Sequence, residues 1–125
     1  DIIIGFEPGE VVRNIAYLKK DGVVIVSPKA VKPVTASLTD STYDGPEMIE
    51  YLKKNVSKVI VVDGESICKE CGSSKVLNVA LLGASIATGK IDITIDEIKE
   101  ALLKRLPEKV HELNIKALEL GAKII

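Results

Sequence analysis

Two runs of β-branched residues, Ile2-Ile3-Ile4 and Val23-Val24-Ile25-Val26, stand on either side of one amphipathic segment and restrict what the chain can become. Neither run alternates with polar residues, so each reads as a strand covered on both faces, as strands of parallel sheets are. Between them, Pro8 suits the first turn of a helix, where its missing N–H has no partner to lose. Glu7 and Glu10 put negative charge at the positive end of the helix dipole. Val11, Val12, Ile15, Ala16 and Leu18 form one apolar stripe, Lys19 and Lys20 fill the last turn, and Gly22 is the expected left-handed stop. Strand, crossover helix and parallel strand make a βαβ unit, whose ligands collect at the carboxyl ends of the strands. Those ends place Phe6, Glu7 and Ser27 among the candidate ligand-binding residues.

Residues 28–45 carry two Pro and several Ser and Thr and predict a long connection, in which Val31, Val34 and Leu38 either make a short edge strand or pack down on the sheet as part of a surface excursion. Pro46 opens a second helix with Met48, Ile49, Tyr51 and Leu52 apolar, and residues 56–64 supply a third strand ending at Asp63, another candidate at a strand end. Helices alone follow. One runs from Glu65 to a stop at Gly72, and a nearly all-apolar one covers 75–87 and stops at Gly89. Thr94 and Glu97 form a capping box before an inner face of Ile95, Ile98, Leu102 and Leu106. After Pro107 comes a last helix with Val110, Leu113, Ala117 and Leu120 inward and Gly121 as its stop. The order predicts an α/β protein: a three-layer sandwich with a mostly parallel sheet, crossover helices and a helical C-terminal third.

With 125 residues and 46% apolar content the chain is read as a single domain, 1–125, able to bury a core. Its apolar stretches fall far short of the ~20 residues a membrane helix needs, and no charged-then-apolar leader precedes them, so the expected location is cytoplasmic. Seventeen basic against eighteen acidic residues, one Phe, three Tyr and no Trp provide neither the basic field nor the stacking surface of a nucleic-acid binder. The first residue, Asp1, already lies at a strand, which predicts a fragment of a longer gene product.

Cys68-Lys69-Glu70-Cys71 has the C-x-x-C spacing of a redox pair or half a zinc site, but a closed zinc site takes four ligands and only His111 remains to join them. The pair is therefore read as two thiols on one helix face, and His111, beside Glu108 and Glu112, as a solvated helix residue. No nucleophile–His–acid order and no glycine-rich phosphate loop is visible, so no catalytic residue and no metal ligand is assigned. Asn78 and Asn114 interrupt apolar helical faces. A buried Asn must be hydrogen-bonded, so each is a candidate for tying elements together or for a ligand or subunit interface.

These segments carry a resemblance. GFEPGEVVRNIAYLKKDGVVIV (5–26) looks like the middle of the γ-type domain of the 2-oxoacid:ferredoxin oxidoreductases, above all of the small β-subunit branch that serves indolepyruvate. VLNVALLGA (76–84) is similar to an Asn-bearing helix of that family, and LPEKVHELNIKALELGAKI (106–124) to its closing helix, with Pro107, Asn114 and 117–121 in the expected places. The family's domain begins with a further strand and a G-x-G-G-Q-G turn that do not occur here, so the resemblance implies its C-terminal two-thirds.

The resemblance implies a non-cofactor-bearing subunit of an enzyme of anaerobic metabolism. That enzyme oxidatively decarboxylates an aryl or other 2-oxoacid to an acyl-CoA and passes the electrons to ferredoxin. Thiamine diphosphate and iron–sulfur clusters are then expected in a larger partner subunit, and ferredoxin and CoA are met through the complex. The alternative is a free-standing nucleotide or small-ligand-binding α/β module. A weaker one is a C-x-x-C redox or metal protein. A sheet of strands 2–6, 23–26 and 58–62 leaves a hydrophobic edge, and the apolar helix 76–87 a surface that three strands cannot cover, so the chain is expected to self-associate or to bind a partner subunit.

Overall fold

Strands β1 (Ile2–Gly5), β2 (Val23–Val26) and β3 (Lys58–Val61) lie parallel in the order β1-β2-β3 in the computed structural model, which describes residues 1–28 and 45–124. The predicted connection at 28–45, with Val31, Val34 and Leu38, lies almost wholly outside the described residues. Contacts divide the chain into two compact units, Asp1–Val61 and Val62–Ile125. The first unit holds the whole sheet. Ile2 stands opposite Val23 and Gly5 opposite Val26, while Val23 and Val26 face Lys58 and Val61 on the other side. The Val23 N–H donates to Asp1 O and the Ser27 N–H to Gly5 O, each at 3.0 Å, so the ladder takes in Asp1 before β1 and Ser27 after β2.

Side chains alternate across a strand, so Val24 and Val26 point to one face. There they meet Val11 of α1 (Pro8–Asn14), Leu52 of α2 (Gly45–Asn55) and Val56 just after it, with Ile3, Ile15 and Ile49 packed around them. Burying each such Val or Leu stabilises by about 1.5–3 kcal/mol. Val23 and Ile25, on the opposite face, are buried as well, so β2 is the strand covered on both sides that its sequence predicts. The flanking strands are not. Ile4 is 38% exposed and Val59, Ile60 and Val61 are half-buried, because each of these strands has one neighbour among the described residues instead of two.

Helix α1 is shorter than its apolar stripe predicts. It ends at Asn14 and continues as a 3-10 turn, Ile15–Tyr17, before Leu18 turns extended. Gly22 is not a left-handed stop, since positive φ occurs only at Gly72 and Gly89 among the described residues. It is needed for space instead: a Cβ there would press into the Leu18 side chain. Tyr51, one of the apolar residues of α2, is 48% exposed.

The second unit is helical. Asp63 caps α3 (Gly64–Cys71) by accepting the Ser66 N–H at 3.1 Å, and Gly72, at φ 77°, closes it. A 3-10 turn, Ser74–Val76, leads into α4 (Leu77–Ala87), in which Val79 to Leu81 and Gly83 to Ile86 are buried, so the uncovered apolar surface expected of this helix is absent. Helix α5 (Ile95–Arg105) carries the predicted capping box: Thr94 Oγ1 accepts the Glu97 N–H at 3.1 Å and Glu97 Oε1 accepts the Thr94 N–H at 3.2 Å. Its predicted inner face is only half-buried, and no residue of α5 is fully covered.

Another 3-10 turn, Glu108–Val110, starts α6 (His111–Ala122). Gly121 does not stop α6 but lies inside it, where a Cβ would collide with the Ala80 carbonyl. Gly83 of α4 likewise abuts the Leu118 carbonyl. The two helices thus meet backbone to backbone along Ala80, Gly83, Leu118 and Gly121. That stripe turns Asn114, Ala117 and Leu118 inward and leaves Val110, Leu113 and Leu120 half-buried.

Gly83→Ala and Gly121→Ala should each therefore destabilise the protein by at least ~2 kcal/mol in urea unfolding, because the intruding methyl meets backbone that cannot rotate away. Thr94→Ala, which removes an exposed cap, should cost about 1 kcal/mol. A Gly83→Ala protein as stable as wild type would refute the close approach.

Candidate functional site

At the carboxyl ends of the strands, the bond from the Ser27 N–H to Gly5 O sets Ser27 beside Gly5-Phe6-Glu7. Ser27 is 2% exposed, Phe6 is 51% exposed, and Glu7 is half-buried as the N-cap of α1, making no capping bond with its side chain. The structure thus brings three of the six sequence candidates together at one sheet end. An open hollow of about 200 Å³ runs alongside β1, between Ile3, Ile4 and Gly5 and the α1 residues Glu10, Val11 and Asn14. Arg13 neutralises Glu10 through an exposed ion pair, so what remains along β1 is mainly apolar.

The other three candidates lie in the second unit. Asp63 is occupied as the cap of α3. Asn78 and Asn114 both line a cleft of about 320 Å³ formed where α4 and α6 begin and α5 ends. Val76, Val79, Leu102, Leu106, Val110 and Leu113 make its apolar wall. Its polar lining is Ser73, Lys75 and the two asparagines, with no carboxylate among them. Asn78 is exposed and accepts the Val79 N–H on its Oδ1 at 2.9 Å. Asn114 is 8% exposed; its Nδ2 donates to Val110 O at 2.8 Å, which ties α6 to the 3-10 turn before it.

Ser73 and Lys75 were not singled out from sequence, and Leu102, Leu106, Val110 and Leu113 were read only as inner faces of their helices. They sit at the ends of separate elements, where periodicity carries no information on what meets them.

Cys68 and Cys71 are half-buried free thiols three residues apart on α3. Burial pushes the Cys71 thiol up, partly offset by the nearby Lys116 ammonium, which leaves it a weak nucleophile near neutral pH. Iron–sulfur clusters are held by four ligands, normally cysteine thiolates, and this chain has two cysteines, so its donor set does not fit one. Among the described residues no three His, Cys, Asp or Glu side chains gather as metal ligands. His111 is half-buried rather than solvated: its Nε2 lies 2.6 Å from Leu106 O, so the ring ties the start of α6 to the end of α5. Lys99 on α5 and Glu119 on α6 pair at 2.6 Å, and their hydrogen bond raises the ammonium pKa and lowers the carboxyl. No helix among the described residues is long and apolar enough to cross a membrane.

Comparison with known proteins gives this geometry a family. Indolepyruvate oxidoreductase subunit IorB of Pyrococcus horikoshii is 34% identical over 125 residues, covering 98% of this chain and 62% of its own. The pyruvate/ketoisovalerate oxidoreductases common subunit gamma of Pyrococcus furiosus is 30% identical over 120 residues, covering 94% and 57%. The chain thus spans about three-fifths of the length of these relatives. The crystal structure of the keto/oxoacid ferredoxin oxidoreductase gamma subunit from Geobacter sulfurreducens PCA superposes on 99% of this chain and 63% of its own, with a TM-score of 0.70 at 24% identity, and so shares its fold. The family model for pyruvate ferredoxin/flavodoxin oxidoreductase matches residues 1–124, and the chain belongs to that family.

Proposed function

We propose that this chain is the scaffold part of a small, non-cofactor-bearing subunit in a 2-oxoacid:ferredoxin oxidoreductase of the indolepyruvate type. The observation that carries the reading is the 34% identity to IorB of Pyrococcus horikoshii along 98% of the chain. The reaction is the oxidative decarboxylation of an aryl or other 2-oxoacid to an acyl-CoA, with electrons leaving to ferredoxin in the cytoplasm. Thiamine diphosphate and iron–sulfur clusters belong to a larger partner subunit, in keeping with a chain whose two cysteines do not fit a cluster.

In that setting Phe6, with Glu7 beside it, is proposed as a contact for the partner, since an exposed aromatic ring at a sheet end is the kind of group that anchors an interface, while the buried Ser27 supports the backbone beneath them. Free-standing nucleotide binding draws no support from relatives that are named as oxidoreductase subunits.

Dye reduction dependent on indolepyruvate and CoA tests the reading. The chain alone should give no turnover, and adding the thiamine- and cluster-bearing subunit should give it. Phe6→Ala should raise the concentration of small subunit needed for half-maximal activity by roughly tenfold, as loss of an interface anchor does. Substantial turnover by the isolated chain would contradict the proposal.

A further inference from the structure

We infer that the cleft of the second unit is a binding site for a small apolar acid that carries a hydrogen-bond donor beside its carboxylate, that is, an apolar 2-amino or 2-hydroxy acid. Its volume of about 320 Å³ lies at the lower end for small-ligand sites and suits a body the size of a leucine or phenylalanine side chain. Leu102, Leu106, Val110 and Leu113 receive that body.

The polar side determines the head group. Lys75 is exposed, forms no ion pair among the described residues and meets no carboxylate in the cleft lining, so nothing there competes with an incoming anion for its ammonium. Asn78 has its Oδ1 engaged by the Val79 N–H, which leaves its amide N–H groups to donate to the same anion. Asn114 supplies the second requirement. It is more than nine-tenths buried and lines the cleft, its Nδ2 is held by Val110 O, and its Oδ1 accepts no hydrogen bond from the described residues. A buried acceptor without a donor is costly, and a ligand hydroxyl or ammonium next to the carboxylate removes that cost. The site is independent of the proposed subunit role, since it is built wholly within one unit.

Methyl NMR titration of the full chain tests the inference, with 2-hydroxyisocaproate, leucine, isocaproate and leucinamide as separate ligands. At least one of the first two should shift the methyl signals of Leu102, Leu106, Val110 and Leu113 saturably, and which of them binds more tightly distinguishes the hydroxy from the amino acid. Isocaproate, which lacks the donor, and leucinamide, which lacks the carboxylate, should each bind roughly tenfold more weakly or not at all. Lys75→Gln, an exposed change that leaves the fold intact, should weaken binding by a similar factor, as should Asn114→Leu provided its melting temperature is retained. No saturable shift with either acid, or equal binding of all four compounds, would overturn the inference. So would binding that Lys75→Gln leaves unchanged.

Discussion

Everything in the first unit depends on the burial of β2. Four consecutive residues, Val23 to Val26, are covered on both faces, and only a strand with hydrogen-bonded neighbours on either side can bury its backbone groups so fully. That requirement brings β1 and β3 in as parallel partners, and parallel pairing makes α1 and α2 crossover helices. The same pairing sets Ser27 beside Gly5 and leaves Phe6 projecting at the sheet end. The sheet's outer rim then becomes its weak point: β1 has no second neighbour among the described residues, and Ile4 and Phe6 stand exposed along it.

The second unit rests on a different constraint. Helices α4 and α6 approach until backbone meets backbone, which only glycine at 83 and 121 permits. With Leu118 and Ala117 buried in that contact, α6 has little apolar surface left for α5, which is held by half-buried residues, the Lys99–Glu119 pair and the bond between His111 and Leu106 O. A loosely held helix over a tightly joined pair leaves room beneath it, and the cleft lies there.

These two constraints explain how far the sequence could be read. The strands, their parallel order, the capping box and the stops at Gly72 and Gly89 were legible because each is a local pattern: unbroken β-branched runs, Thr-x-x-Glu, glycine after a periodic stretch. Gly22 and Gly121 were misread as stops because local sequence does not distinguish a glycine that turns the chain from one that makes room for a neighbour. For the same reason the inner face of α6 was placed on Val110, Leu113 and Leu120, which are half-buried, along with Ala117, while the buried Leu118 was left out. Asn78 and Asn114 could be singled out as polar breaks in apolar faces. That they share a cleft with Lys75 is a tertiary fact no spacing encodes.

An exposed apolar edge on a parallel sheet invites another chain to complete it. We therefore propose, as the central claim, that this protein works as part of an assembly, through a sheet edge that has no second neighbour among the described residues. Sedimentation across about a hundredfold dilution measures this directly, because a protein that depends on partners shows a concentration-dependent mass. Self-association, or a stoichiometric complex once the larger subunit is added, burying on the order of 1,000 Å² or more, is the predicted result. A monomer at every concentration that ignores the larger subunit and unfolds cooperatively would contradict it.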